Sequence, residues 1–302
     1  MKLSDIWVRD PFILPYDGMY YLYRRLFEGQ EHESFLCYTS RDLVEWSEPV
    51  CCFEPPQDFW ADENFWAPEV HVYNGAFYMF ATFYKQGKMR ATQILKADRP
   101  EGPFFVWSEP ITPQDWMCLD GTLYVENGVP YIVFCHEWLQ VKDGEMCVQQ
   151  LSDDLKTTVG EPRVLFCASQ SPHTVCIEVK DVTPAAGYIT DGPFLRKTAD
   201  GKLLMIWSSY GKNGYIEAVA ISENGSIHGE WKHCEHLLSD KNGGHGMLFT
   251  AFDGTEYFVM HAPNEPHGAE RPRLMRVTET DKEPYLQLVE DDYDSSIGTR
   301  IN

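Results

Sequence analysis

A chain of 302 residues, 14% of them aromatic, has enough apolar material for one large all-β domain, and a formal charge of −21 leaves no basic face for nucleic acid or an anionic membrane. Nine cysteines, with no CxxC pair, exclude a disulfide scaffold, and Cys37, Cys135 and Cys147 sit in strand patterns as small hydrophobes. The opening MKLSDIWVRDPF has no apolar signal core and no stretch is long enough to span a membrane, so the chain reads as cytoplasmic.

One two-strand pattern opens the chain and returns four times. It begins DPFILPYDGMYYLYRR at Asp10, then APEVHVYNGAFYMFATFY at Ala67 and DGTLYVENGVPYIVFCHEW at Asp120. The last two copies are DGPFLRKTADGKLLMIWSSYG at Asp191 and GHGMLFTAFDGTEYFVMHAP at Gly244. Each copy has a short strand, a turn, and an aromatic-rich apolar run that suits a strand buried on both faces. The turns Asp17-Gly18, Asn74-Gly75, Asn127-Gly128, Asp200-Gly201 and Asp253-Gly254 are all of the Asn-Gly or Asp-Gly type that tight hairpins favour.

More polar strand pairs follow the hairpins, from Phe35, Ala91, Met146 and Ile216. Four strands per unit at this period predict a five-bladed β-propeller, all-β, with residues 1–302 as a single domain. The acidic tail from Asp281 onward reads as the one disordered stretch.

The chain carries no phosphate-loop, HExxH or nucleophile-elbow motif, and the Gly243–Gly246 cluster has no helix pattern after it. What remains is a polar group at each unit's opening: Asp10, Glu69, Asp120, Asp191 and His245, spaced 59, 51, 71 and 54 residues apart. In a propeller these converge at one end of the channel. Carboxylates held that close have their pKa values forced apart, which supplies the acid and base that glycoside hydrolysis needs. Trp7, Phe12, Trp60, Trp66 and Trp138 cluster near the same openings, and Trp66 and Trp138 are the candidates for stacking on sugar rings.

The phrases Arg9-Asp10-Pro11, Trp66-Ala67-Pro68-Glu69, Leu119-Asp120-Gly121, Asp191-Gly192-Pro193 and Gly244-His245-Gly246 resemble those of glycoside hydrolase family 43, in order and spacing, over about residues 5–280. The resemblance implies a five-bladed propeller and an inverting glycosidase, with base and acid roughly 6.5–9.5 Å apart. It makes Asp10 the general base and Asp120 the carboxylate that tunes and orients the acid. Asp191 stands where the family usually has Glu, with its carboxyl roughly 1.5 Å further back, and is the favoured acid; Glu69 and Glu178 are the alternatives. His245 resembles a histidine that lies near a metal or an ordered water in several members. This implies a Ca²⁺ beside His245 as an optional ion, with no required cofactor. Glu69, Trp66, Trp138, His245 and Arg271 are the expected substrate contacts.

The reading is a glycosidase that releases a terminal pentose, α-L-arabinofuranose, from a neutral oligosaccharide. A β-xylosidase or endo-arabinanase of the same family and a non-catalytic sugar-binding propeller stay open. So does transfer to phosphate, for which Arg271 and Arg273 are the nearby cations.

Overall fold

Each repeated unit folds as a four-stranded antiparallel sheet, and the five sheets form a five-bladed β-propeller. The computed structural model describes residues 1–26, 33–180 and 182–289, and the backbone of 293–294 and 299–300. Blade 1 holds β1 (Phe12–Tyr16), β2 (Met19–Arg25), β3 (Phe35–Ser40) and β4 (Val50–Phe53). Blade 2 holds β5 (Glu63–Tyr73), β6 (Ala76–Tyr84), β7 (Ala91–Ala97) and β8 (Phe105–Val106). Blade 3 holds β9 (Cys118–Glu126), β10 (Val129–His136), β11 (Glu145–Leu151) and β12 (Thr158–Cys167), with the single-turn helix α1 (Trp138–Val141) between β10 and β11. A short ribbon of β13 (Ile177–Glu178) and β14 (Ala186–Gly187) precedes blade 4. Blade 4 holds β15 (Asp191–Lys197), β16 (Leu203–Gly211), β17 (Gly214–Ser222) and β18 (Trp231–His233). Blade 5 holds β19 (Gly244–Thr250), β20 (Glu256–Ala262), β21 (Arg271–Glu279) and β22 (Leu286–Val289), and β23 (Tyr293–Asp294) pairs with β24 (Thr299–Arg300) beyond it.

The first strands of the blades close a ring: β1 packs on β5, β5 on β9, β9 on β15, β15 on β19, and β19 back on β1. The five apolar runs seen in the sequence are the second strands, sandwiched between neighbouring sheets. Leu22, Met79, Val133, Ile206 and Val259 on them are all 0% exposed. Aromatic side chains fill the gap between blades 1 and 2, where Phe35 of blade 1 meets Phe65 and Phe83 of blade 2 at 5.9 and 5.8 Å. Trp207 and Phe166, 5.3 Å apart, do the same between blades 3 and 4.

Three of the five turns are two-residue hairpins with positive φ at both positions: Asp17-Gly18, Asn74-Gly75 and Asn127-Gly128. In the other two only Gly201 and Gly254 are left-handed, because β15 and β19 end several residues earlier. There Asp253 accepts the Thr255 N–H and Asp200 accepts the Thr198 hydroxyl. The tail expected to be disordered from Asp281 contributes β22 to blade 5. Of the remainder, residues 290–292, 295–298 and 301–302 lie outside the described residues. All nine cysteines are free thiols, and Cys37, Cys135 and Cys147 are buried in strands as expected. No helix of the described residues is long and apolar enough to cross a membrane.

Candidate active site

The start of every inner strand passes through the left-handed region: Asp10 (φ 56), Ala67 (φ 45), Asp120 (φ 53), Gly192 (φ 49) and His245 (φ 52). A non-glycine residue adopts that conformation rarely and at a cost, so four of them at matching positions mark a constrained site. In blades 2 to 5 the strand register also shifts beside this residue, as in a β-bulge. A bulge bends the strand and re-aims its side chains. This register corrects the alignment read from the sequence. Ala67, not Glu69, is the blade 2 counterpart of Asp10 and Asp120, and in blade 4 it is Gly192, with Asp191 one residue before it.

Two columns of side chains follow from the corrected register. The left-handed column brings Asp10, Asp120 and His245 together. The column one residue earlier supplies Arg9, Trp66, Leu119 and Asp191. All seven line one pocket of about 290 Å³, joined by Arg25, Tyr215, Glu265 and His267.

His245 stands between the two aspartates, its Nδ1 3.1 Å from Asp10 Oδ1 and 3.7 Å from Asp120 Oδ2. Burial disfavours its charge, but Asp10 and Asp120 outweigh that and push its pKa up to about 10. It is therefore an imidazolium at neutral pH. For Asp10, burial pushes upward and loses: His245, then His261 and Arg9, hold this carboxyl well below the usual range. His261 is the opposite case, because burial takes its pKa down to about 4. Neutral, it accepts the Asp10 N–H at Nδ1 (3.2 Å) and donates from Nε2 to Asn264 (3.0 Å), which fixes its tautomer.

Asp120 and Asp191 titrate as a pair. Burial raises Asp120 to about 8, against the pull of His245 and with repulsion from Asp191 and Asp10. Asp191 is raised too, again by burial, although Tyr215 donates to its Oδ2 at 2.8 Å and His245 favours its charge. The Gly192 N–H also donates to Asp120 Oδ2, at 3.0 Å. The site thus pairs one carboxylate kept ionised with two that favour holding a proton, the division of labour that acid–base cleavage of a glycoside requires.

Two glycines make room for this set. A Cβ on Gly192 would come within 2.7 Å of the His245 ring, so blade 4 yields its place in the left-handed column to that imidazole. A Cβ on Gly244 would lie 2.5 Å from the Tyr215 ring and block its path to Asp191. Behind them Ser208 accepts the His245 N–H at 2.7 Å, and the fully buried Glu217 accepts the Gly246 N–H at 2.6 Å.

Several expected contacts fall elsewhere. Glu69 is buried and paired with His71 at 3.2 Å, and Glu178 is exposed on β13, so neither alternative acid lines the pocket. Trp138 is 8% exposed in α1, with its ring against Gly187. It is not among the side chains that line the pocket. Arg271 turns back on the carbonyls of Glu270 and Gly268. The arginines that do line the pocket are Arg9 and Arg25, and Arg9 pairs with Glu270 at 3.1 Å. Trp66 is the expected aromatic that does line it. Arg9 and Leu119 could have been found as sequence neighbours of the aspartates. Tyr215 had no such signal, since it reaches in from the third strand of its blade.

Among the described residues no group of three His, Cys, Asp or Glu side chains is set to hold a metal ion. The Gly243–Gly246 segment runs straight into β19, so it opens no helix that could cradle a phosphate.

The solved structure of an endo-arabinase from Bacteroides thetaiotaomicron superposes with a TM-score of 0.87 and 39% identity, covering 93% of this chain and 98% of that one. An endo-1,4-beta-xylanase from the same organism shares the fold at TM-score 0.73 and 22% identity, with 94% of each chain covered. The extracellular exo-alpha-(1->5)-L-arabinofuranosidase ArbA of Cellvibrio japonicus is 22% identical over 87% of this chain and 83% of its own length. The model for Glycosyl hydrolases family 43 matches residues 5–291, and with the propeller and its ring of inner-strand openings this establishes that the chain belongs to that family.

Proposed function

We propose that this glycoside hydrolase is an inverting, exo-acting α-L-arabinofuranosidase that removes terminal arabinose from neutral oligosaccharides. The observation that carries the proposal is the pocket of about 290 Å³, which joins ionised Asp10 to the proton-holding Asp120 and Asp191. That volume lies at the small end of ligand pockets and suits one sugar ring with its attacking water. Asp10 takes the proton from water as the water attacks the anomeric carbon. Asp191 gives its proton to the departing oxygen, and Asp120 and Tyr215 orient Asp191 and set its proton affinity. Arabinose is favoured over xylose because two of the relatives carry arabinan-directed activities in their names.

The endo-arabinase relative also favours a second reading, internal cleavage of arabinan. A cytoplasmic location is part of the proposal and rests on the free thiols, whereas the ArbA relative is named as extracellular.

The test is hydrolysis of p-nitrophenyl α-L-arabinofuranoside and β-D-xyloside by wild type and Asp10→Ala, with linear arabinan digested in parallel. Arabinoside turnover that Asp10→Ala abolishes, with arabinose as the arabinan product, supports the proposal. Xyloside turnover alone moves the assignment to a β-xylosidase, and arabino-oligosaccharide products move it to endo action. Sugar binding without turnover in any arm would make this a carbohydrate-binding propeller.

A further inference from the structure

Arg90 lies just before β7, does not line the pocket, and is 8% exposed. Its guanidinium sits under Trp66, with the carbon centre 4.6 Å from the indole centroid, and is also 5.3 Å from the Tyr84 ring. Two partners hold it there. Nη1 pairs with Glu137, itself 6% exposed, and Nε and Nη2 both donate to Asn64 Oδ1, at 3.2 and 2.9 Å. Glu137 is anchored in turn by its own N–H on the Met117 carbonyl at 2.8 Å. Burial pushes the Glu137 carboxyl upward against the pull of Arg90.

Trp66 needs such a support. It lies between two register shifts of β5, with Asn64 and Ala67 both left-handed, so the sheet does not by itself fix the plane of its ring. A buried ion pair adds little net stability over apolar residues of the same size. What this one supplies is a flat cation at a set angle beneath the indole, a contact that lysine, a point charge without the fork, does not reproduce.

We propose that Arg90, clamped by Glu137 and Asn64, is a positioning residue that holds Trp66 as a rigid stacking platform for the sugar beside Asp10, Asp120 and Asp191. The inference rests on the sugar-binding role proposed above for this pocket. It places part of the enzyme's substrate affinity in a side chain that touches no substrate.

Two measurements test it. Fluorine NMR of protein labelled with 5-fluorotryptophan, with the Trp66 line assigned by Trp66→Phe, reports the indole directly and needs no substrate. Arg90→Met is expected to broaden or split that line. Titration of the Asp10→Asn protein with arabinotriose and xylotriose gives the affinity, and steady-state kinetics of the Asp10-intact enzyme separate KM from kcat. Arg90→Met should weaken binding and raise KM about tenfold, the equivalent of one lost desolvated cation–π support, with kcat within about threefold. Trp66→Ala should do the same, and Trp66→Ala/Arg90→Met should be no worse than Trp66→Ala alone. Arg90→Lys should recover only part of the loss. If Arg90→Met does not fold, Arg90→Met/Glu137→Met removes both charges together and leaves no unpaired buried charge. An unchanged Trp66 line, full additivity with Trp66→Ala, or a fall in kcat at constant KM would each overturn the proposal. Binding of xylotriose in place of arabinotriose would sink the arabinose assignment and leave the Arg90 comparison to be made on xylotriose. If neither trisaccharide binds, the sugar assignment fails and the fluorine spectrum still decides whether Arg90 holds Trp66.

Discussion

His245 sets the electrostatics of the pocket, because one imidazolium serves two aspartates unequally. It lies closer to Asp10, which it keeps ionised, than to Asp120, where burial wins. The consequence for rate is a falling alkaline limb: burial raises Asp120, to about 8, and Asp191 as well, and as pH climbs above these raised values the pair loses the proton that the leaving group needs. Tyr215 donates to Asp191 and so favours its charged form. Tyr215→Phe should therefore move the alkaline limb of kcat/KM to higher pH, and an unmoved limb would remove Asp191 from the acid role. Behind His245, burial raises Glu217 from 4.5 to about 8. A group raised on folding contributes stability that is full below its unfolded pKa and lost as pH climbs through the folded one. Glu217→Gln keeps the acceptor for the Gly246 N–H and removes the titration. It should match wild type in melting temperature at pH 4 and exceed it by several degrees at pH 8.5.

At the level of the strand, the unit of function is the bulged start of each inner strand, where one left-handed residue re-aims its neighbours. Gly192 is the clearest case. Its φ of 49° and the His245 ring 2.7 Å from where a Cβ would stand both oppose any side chain. Gly192→Ala should cost about 1–3 kcal/mol by urea unfolding through crowding and backbone strain. It should also lower kcat by at least about tenfold, because a shift of His245 releases Asp10. Activity at the wild-type level would show that the imidazole has room to spare. The three two-residue hairpins were legible from Asn-Gly and Asp-Gly because those residues accept positive φ. The same dipeptides at Asp200 and Asp253 sit in longer turns, since the length of the flanking strands is set by packing between blades.

Across the whole molecule, the ring must be closed, and Glu270 fastens it. This carboxylate, 0% exposed just before β21 of blade 5, accepts from Trp7 Nε1 at 2.9 Å and Arg9 Nη1 at 3.1 Å, on the segment leading into blade 1. It also accepts the Gly268 N–H. Glu270→Ala leaves Arg9 without its carboxylate beside the pocket, and should cost about 3–5 kcal/mol in chemical denaturation. Glu270→Gln keeps the shape and an acceptor and should cost less; equal losses would mean that the charge carries the whole effect and the retained acceptor contributes nothing. By itself the sequence determined the five blades, the identity of their buried second strands, and the presence of Asp10, Asp120, Asp191, Trp66 and His245 near one end of a channel. Those are properties of local periodicity and turn chemistry, and a repeat writes them five times. Only the tertiary structure decided which side chains face the pocket. It retired Glu69, Trp138 and Arg271, and it brought in Arg9 and Tyr215. Orientation at a bulge depends on a single residue of register and on which neighbouring blade fills the space, and neither is encoded within one strand.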